Sequence, residues 1–195
     1  DISSDHFNPE WLQRIKDYMD GKISYNTIPA ENGQWGTAYT EGNDNVDCYD
    51  FFFNNLTMAQ EHNLSISGGT DAVNYYVSAN YVDENGTLNW NLDGLQRLNV
   101  FGKVQATPYK FLKVGYSARY MREWYHQPTA MTDGSFQNFA RYLWPVSPMY
   151  DPNGYLFNDT ALQYIEGGQT KINNTTFVQQ FNVELNPLPG WRIIG

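Results

Sequence analysis

The sequence is poor in the residues that most often build catalytic and metal sites. It has one cysteine, Cys48, and three histidines in 195 residues. A single cysteine forms no internal disulfide, so cysteine use does not reveal the compartment. The histidines, His6, His62 and His126, lie far apart and lack metal-ligand spacing. No Ser-His-Asp or Cys-His arrangement and no phosphate-binding loop is indicated. We therefore expect no metal site, no cofactor and no catalytic residues.

Positive charge and long apolar runs are also scarce. The formal net charge is −9, which argues against a nucleic-acid partner because such proteins need a basic surface. No apolar run reaches the roughly 18–20 residues of a membrane helix. A β-barrel stays possible, since only alternate residues of its strands face lipid. Aromatic residues make up 16% of the chain, which suits membrane-interface girdles or sugar-stacking surfaces.

What the sequence does contain is a long stretch of strict alternation, residues 61–122. In one run Val73, Tyr75, Val77, Ala79 and Tyr81 share a face, and polar residues take the other. A period of two is typical of β-strands. Five charged residues of the stretch fall on the polar face of their strands, namely Glu61, Arg97, Lys103, Lys113 and Arg119.

The alternating runs are too long for an ordinary soluble sheet. Runs 72–82, 96–107 and 110–122 have eleven to thirteen residues. Soluble strands usually have about 5–6 residues, and a tilted strand crossing a bilayer needs about 9–11. We predict an all-β fold, part of a large antiparallel transmembrane β-barrel contributing about six strands, with a short N-terminal helix and long extracellular loops.

The regions outside the alternating stretch complete the predicted organisation. Asn8 and Pro9 start a helix that Gly21 ends, within a leading segment of helix and loop at 1–60. Residues 61–195 carry the strands, the last full one at 175–185. Connections alternate short and long, as in outer-membrane barrels, which predicts that 83–94 and the loop 123–174 are extracellular. The chain ends inside an apolar run, so we expect an internal piece of a longer protein.

Several motifs occur in the order seen in one family. They are Ser67-Gly68-Gly69, Tyr75-Tyr76-Val77-Ser78, the turn Asp83–Gly86, Arg97-Leu98-Asn99, and the loop piece at 145–154. On these motifs the chain resembles, over residues 44–195, the SusC/RagA family of TonB-linked outer-membrane transporters. One departure is Asn45-Val46-Asp47-Cys48, where the family often has tryptophan in place of Cys48.

The resemblance implies a non-enzymatic role in uptake. Family members hold a plug inside a barrel of about twenty-two strands. They import glycan oligosaccharides or peptides across the outer membrane, with a SusD-like lipoprotein lid and energy from TonB. The parts that contact TonB are not in this chain. Two alternatives stay open, a passive porin-type barrel and a secreted β-sandwich that binds carbohydrate.

The long loop at 123–174 is where we expect substrate or lid contacts. Aromatic faces suit sugar rings, and Tyr and Trp add a polar group, although the same side chains could simply pack the loop. Tyr81, Trp90, Tyr109 and Trp191, near strand ends, are predicted rim residues. An acidic stretch, Glu41 to Asp50, fits a solvated loop better than a calcium site. The candidate contact residues are Trp124, Tyr125, Tyr142, Trp144 and Tyr150.

Overall fold

The computed structural model describes residues 8–30, 33–91, 93–132 and 143–195, so His6 and Tyr142 lie outside the described residues. The chain divides into two compact units. The loop unit comprises Asp1–Leu56, Thr87–Leu92 and Gln127–Thr170, and the sheet unit comprises Thr57–Gly86, Asp93–His126 and Lys171–Gly195, with the gaps just given. Each unit is described by itself.

Short helices organise the loop unit. Helix α1 spans Pro9–Met19, α2 spans Cys48–Phe52 and α3 spans Asp159–Ile165, with a 3-10 turn at Tyr39–Glu41. The predicted start of α1 is confirmed, because the Asn8 side chain accepts a hydrogen bond from the Glu10 amide at 2.8 Å and Pro9 takes the first helical position. Among the described residues, no helix is long and apolar enough to cross a membrane.

Six strands form one open sheet. They are β1 (Ala59–Gly69), β2 (Val73–Asn85), β3 (Gly94–Tyr109), β4 (Leu112–Pro128), β5 (Gln169–Leu185) and β6 (Ile193–Ile194). Their order in the sheet follows the chain, and the pairs β1–β2, β2–β3, β3–β4 and β5–β6 are antiparallel. The predicted all-β class with six antiparallel strands and a short helix is confirmed.

Several strand boundaries differ from the predicted ones. Strand β4 continues to Pro128 and β5 begins at Gln169, so the connection between them is 129–168 and not 123–174. The β3–β4 turn is Lys110-Phe111, because β3 extends through Tyr109. Strand β4 continues because residues 122–126 keep pairing with Leu98 to Gly94. Backbone pairing persists there although the apolar alternation has stopped.

The cross-strand register places the predicted apolar residues on one face. Val77 lies opposite Ile66 of β1 and opposite Gly102 of β3, and Val100 lies opposite Tyr120 of β4. Directly opposed residues project to the same side of a sheet. On that face Leu64 is 66% exposed and Phe181 is 73% exposed. Of the buried hydrophobic side chains in the described part, Val82 alone belongs to the sheet unit.

The buried core lies in the loop unit. It joins α2 to α3 and to the segment before it, through Cys48, Phe52, Met149, Ala161 and Tyr164. Partly buried apolar side chains surround it, namely Val46, Phe51, Phe53, Ala130, Met131, Leu143, Leu156 and Ile165. The described part of the connection between β4 and β5 therefore shares a core with residues that precede β1.

Candidate functional site

A backbone clamp holds the middle of the connection between β4 and β5 against the segment before α2. The Asp44 amide donates to the Val146 carbonyl at 3.1 Å, and the Val46 amide donates to the Pro145 carbonyl at 2.8 Å. The Asn26 side chain donates to the Tyr150 carbonyl at 2.9 Å. At Gly42 a Cβ would collide with the Val146 carbonyl oxygen. The close approach of the two segments therefore depends on glycine at this position.

Helix α1 anchors the same segment through the buried side chain of Trp11 and the half-buried side chain of Arg14. The indole N–H of Trp11 donates to the Gly42 carbonyl at 2.7 Å. Arg14 donates to the Thr40 carbonyl at 2.7 Å and to the side-chain oxygen of Asn43. Burial lowers the pKa of Arg14, while Tyr25 and Glu41 act in the opposite direction. The helix thus fixes the backbone at 40–43, on which the clamp is built.

Trp144, one of the candidate contact residues, packs inside the loop unit. Its ring stacks on Tyr39 with centroids 5.5 Å apart and an interplanar angle of 19°. Tyr39 in turn meets Trp11 edge to face at 6.2 Å. Such pairs contribute about 0.5–1.5 kcal/mol beyond burial. Tyr39 stays 37% exposed, so the stack has a structural role and also presents ring surface.

Tyr150, the second candidate in this unit, sits at the start of a tight turn. Its ring meets Phe51 edge to face at 6.0 Å, and its backbone bridges to Leu156. The side chain is 39% exposed. Residues 151–154 form the turn, in which the Gly154 amide donates to the Asp151 carbonyl at 2.9 Å.

The remaining candidates lie elsewhere. Trp124 and Tyr125 belong to β4 in the sheet unit. The Arg122 guanidinium lies 4.7 Å from the centroid of the Trp124 ring, a cation–π contact. Tyr142 lies outside the described residues. The structure therefore brings Trp144 and Tyr150 into one unit and places Trp124 and Tyr125 in the other.

A cleft that the sequence reasoning missed lies between two turns of the loop unit. Its volume is about 420 Å³. We call it the Trp35 cleft. Two aromatic rings and four polar side chains line it: Trp35, Phe157, Gln34, Thr37, Asp151 and Asn153.

Each turn of the Trp35 cleft is braced by its own backbone. In the first, the Ala30 amide donates to the Gln34 carbonyl at 2.7 Å and Pro29 bridges to Trp35. The buried Thr27 hydroxyl donates to the Gly36 carbonyl at 2.7 Å. In the second, Asp151 Oδ1 accepts from the amides of Asn153 and Tyr155, both at 2.9 Å. Hydrogen bonds among the described residues of both turns therefore support the backbone that carries the lining side chains.

The signal for this cleft was present in the sequence but was local. Gly33-Gln34-Trp35-Gly36 sets an aromatic residue between two glycines, a turn pattern. It falls in a stretch without periodicity, so the sequence pattern predicts no helix or strand that would place Trp35 near other residues. Phe157 stands among the many aromatics of the long loop. Only the tertiary fold shows that these two rings share a cleft.

The acidic stretch serves local structure. Asp47 caps α2 by accepting from the Tyr49 and Asp50 amides, and Glu41 accepts from the Ala38 amide at 2.7 Å. Within the described ranges, no three His, Cys, Asp or Glu side chains are grouped to hold a metal ion. Burial, and secondarily Asp47, raises the pKa of Cys48 to about 11. The thiol therefore stays protonated at neutral pH and is a weak nucleophile.

The polar face of the sheet unit carries a hydrogen-bonded ladder across three strands. The Asn80 amide donates to Glu61 and to Asn63, each at 2.6 Å, and the Asn99 amide donates to Asn80 at 3.2 Å. Arg119 lies over the Phe101 ring at 5.5 Å on the same face. This face is therefore polar, in contrast to the apolar face on the other side of the sheet.

Neither a scan against protein-family models nor a search of curated proteins gives a match to this chain.

Proposed function

We propose that this chain forms part of the wall and outer loops of a TonB-dependent outer-membrane transporter of the SusC/RagA type. The transporter imports glycan oligosaccharides or peptides with a SusD-like lipoprotein lid, and it has no enzymatic activity. The observation that carries the proposal is the sheet unit itself, one long-stranded sheet with an exposed apolar face. TonB acts through parts of the parent protein outside this chain.

The apolar face needs a covering that water cannot provide. Leu64, Ile66, Val77 and Phe181 are each 47% exposed or more. Exposed apolar surface costs about 25 cal/mol per Å², and soluble monomers rarely expose apolar patches beyond a few hundred Å². Lipid chains cover such a face without any protein layer. A membrane location accounts for a sheet that buries so little of its own apolar surface.

The height of the apolar face fits a bilayer. The residues from the row of Val73 and Ala106 to the row of Tyr81 and Leu98 are paired continuously. This run holds nine residues of β2, Val73 to Tyr81, and a tilted strand needs about 9–11 residues to cross a bilayer. Strands β4 and β5, with 17 residues each, are long enough to cross and continue beyond it.

A polar residue on the apolar face is compensated within the sheet. Gln179 interrupts the apolar positions of β5, between Phe177 and Phe181. Its side-chain oxygen accepts a hydrogen bond from the Tyr116 hydroxyl at 2.9 Å, and the Tyr116 ring contacts Phe181 with centroids 4.8 Å apart. An unpaired amide in hydrocarbon would cost several kcal/mol, so this pairing supports lipid contact.

The proposal also assigns a position in the barrel to the polar face and to the two edges of the sheet. The ladder of Glu61, Asn63, Asn80 and Asn99 would face the barrel interior and its plug. The outer edges of β1 and β6 would pair with neighbouring wall strands of the parent protein, because an open edge exposes unpaired backbone groups. The alternative of a β-sandwich needs two packed sheets, whereas the described strands form a single one.

In this assignment the loop unit supplies the surface outside the cell. Trp144 and Tyr150 contribute ring surface for the lid or the substrate, and Trp124 and Tyr125 mark the outer end of β4. Tyr142 is proposed as a further contact on sequence grounds. Arg122 projects to the same side of the sheet as the apolar residues and contacts the Trp124 ring. This position suits the membrane–water interface, where arginine side chains reach polar headgroups.

A matched pair of substitutions in the parent transporter tests the membrane assignment. Val100→Arg places a charge at the middle of the apolar face, where it costs about 2–4 kcal/mol if lipid covers that face. Asn99→Arg is the control, because it introduces the same side chain one residue earlier on the polar face. We expect Val100→Arg to lower the amount of folded, heat-modifiable barrel in outer membranes and Asn99→Arg to leave it largely unchanged.

The reverse pattern would show that lipid covers the opposite face. Normal assembly of both variants would contradict a membrane role for this sheet. Assembly as expected, with uptake that does not depend on TonB, would favour a passive porin-type barrel.

A further inference from the structure

We propose that the Trp35 cleft binds a ring of a neutral oligosaccharide and discriminates against anionic sugars. The inference rests on the proposed function in one respect, since it assigns the substrate class of the same outer surface. It adds a site on residues 34–37 and 151–157, and a charge preference.

The size and the aromatic content of the cleft fit a sugar ring. Its volume of about 420 Å³ is within the range of about 300–1,000 Å³ usual for small-ligand sites. Trp35 and Phe157 come from different turns and both line it. A pyranose ring has apolar C–H faces that pack against aromatic rings, and Trp and Phe bury the largest apolar area.

The polar lining matches hydroxyl groups. Thr37 offers a hydroxyl, and Asn153 offers an amide that both donates and accepts. Asp151 uses Oδ1 for two backbone amides, which leaves Oδ2 as the second acceptor of its carboxylate. Sugar hydroxyls present donors and acceptors side by side, so this mixed set of groups can satisfy them.

The charge of the lining sets the preference for neutral sugars. Among the described residues that line the cleft, Asp151 is the one acidic side chain, and no Lys, Arg or His is present. A uronate carboxylate would meet a second carboxyl group there and find no basic partner among the described lining residues. Discrimination by an unfavourable charge pair is a common source of specificity.

The cleft is also preorganised. Both turns are closed by backbone hydrogen bonds, and Gly33 and Gly154 adopt positive φ angles of 78° and 88° that favour glycine in such turns. Asn26 ties Tyr150, at the start of the second turn, to the first part of the unit. A rigid site loses less entropy when it binds a ligand.

Binding is measured by calorimetry on the full parent chain in detergent. The probes are cellotetraose, maltotetraose, mannotetraose and xylotetraose as neutral sugars, tetragalacturonate as the anionic sugar, and acetyl-tetraalanine amide as a peptide. We expect at least one neutral tetrasaccharide to bind with a Kd below about 1 mM. Trp35→Ala should weaken that binding by about tenfold or more. Tyr155→Ala is the control, because Tyr155 lies on the second turn, is 72% exposed and does not line the cleft; it should change the binding by less than about twofold.

A second variant tests the charge preference. Asp151→Asn keeps an acceptor for the two turn amides while removing the negative charge. We expect neutral binding to stay within about threefold and tetragalacturonate binding to strengthen from its wild-type level. The proposal is overturned if no neutral sugar binds at about 10 mM, if Trp35→Ala binds as the wild type does, if tetragalacturonate or the peptide binds best, or if Asp151→Asn leaves tetragalacturonate binding unchanged.

Failure of the cleft and failure of the transporter assignment are distinguishable. A parent barrel that assembles normally in the outer membrane but binds no neutral sugar would contradict the cleft alone. Sugar binding that depends on Trp35, in a protein whose Val100→Arg and Asn99→Arg variants both assemble normally, would contradict the membrane assignment and retain the cleft.

Discussion

At the scale of single residues, Gly42 controls how closely two segments of the loop unit approach. Its φ of −76° and ψ of 148° are open to any residue, so its importance is steric. Alanine there would push against the Val146 carbonyl and the Pro148 ring. In the sequence Gly42 is one of several glycines in a loop. The Val146 carbonyl that leaves no room for a side chain there comes from about a hundred residues later, so the need for glycine could not be predicted.

We expect Gly42→Ala to loosen the clamp, lowering its local opening free energy by about 1–3 kcal/mol. Hydrogen–deuterium exchange at the Asp44 and Val46 amides measures this directly, because both donate across the clamp. Gly102→Ala is the control, since a Cβ there meets nothing within 4 Å. Unchanged exchange at both amides in the Gly42 variant would show that the segments separate at little cost.

At the scale of elements, the strands were predictable and their ends were not. Alternation located β2, β3 and β4 because side chains of a strand project to opposite faces. It failed at the C-terminal end of β4, where Arg122 takes an apolar-face position opposite Leu98. Backbone hydrogen bonds continue the pairing there whatever the side chains are, so a pattern of side chains cannot find the boundary.

The connection between β4 and β5 is the element on which uptake should depend. Deleting residues 135–160 from the parent removes Trp144, Tyr150 and the second turn of the Trp35 cleft. We expect normal membrane insertion, because the strands of the sheet unit are retained, with loss of lid binding and uptake. Insertion, lid binding and uptake are measured separately. Uptake and lid binding at wild-type levels would mean that the connection only packs against its own unit.

At the scale of the whole molecule, the organisation into two units was not visible from the sequence. Composition indicated a boundary near residue 60, between loop-like and alternating stretches. The loop unit instead gathers three separated stretches of the chain, and its core pairs Cys48 and Phe52 with Met149 and Tyr164. Contacts between distant segments leave no periodic signal in the sequence. Only the helices and strands within each stretch could therefore be predicted, and not which stretches pack together.

The sheet unit expressed within this chain alone should not behave as a soluble monomer. Closed barrels begin at about eight strands, and six strands leave two open edges. We expect aggregation or a need for detergent, measured by sedimentation of the refolded chain. Ile66→Lys should raise the soluble fraction more than Ser65→Lys, because Ile66 is on the exposed apolar face and 59% exposed. A cooperative, soluble monomer of the wild-type chain would contradict the barrel assignment.

The core of the loop unit joins residues that are far apart in the sequence, so it can form only after most of the chain has been synthesised. Phe52 leaves the ribosome early, but Met149 and Tyr164, which bury it, follow only after β1 to β4 have been made. Bringing residues 48–52 together with residues 149–164 closes a long chain segment, and the entropic cost makes this step slow. Until it occurs, Phe52 and Cys48 are exposed and can bind chaperones. A chain that ends before residue 149 therefore contains β1 to β4 but leaves Phe52 and Cys48 without the side chains that complete their core.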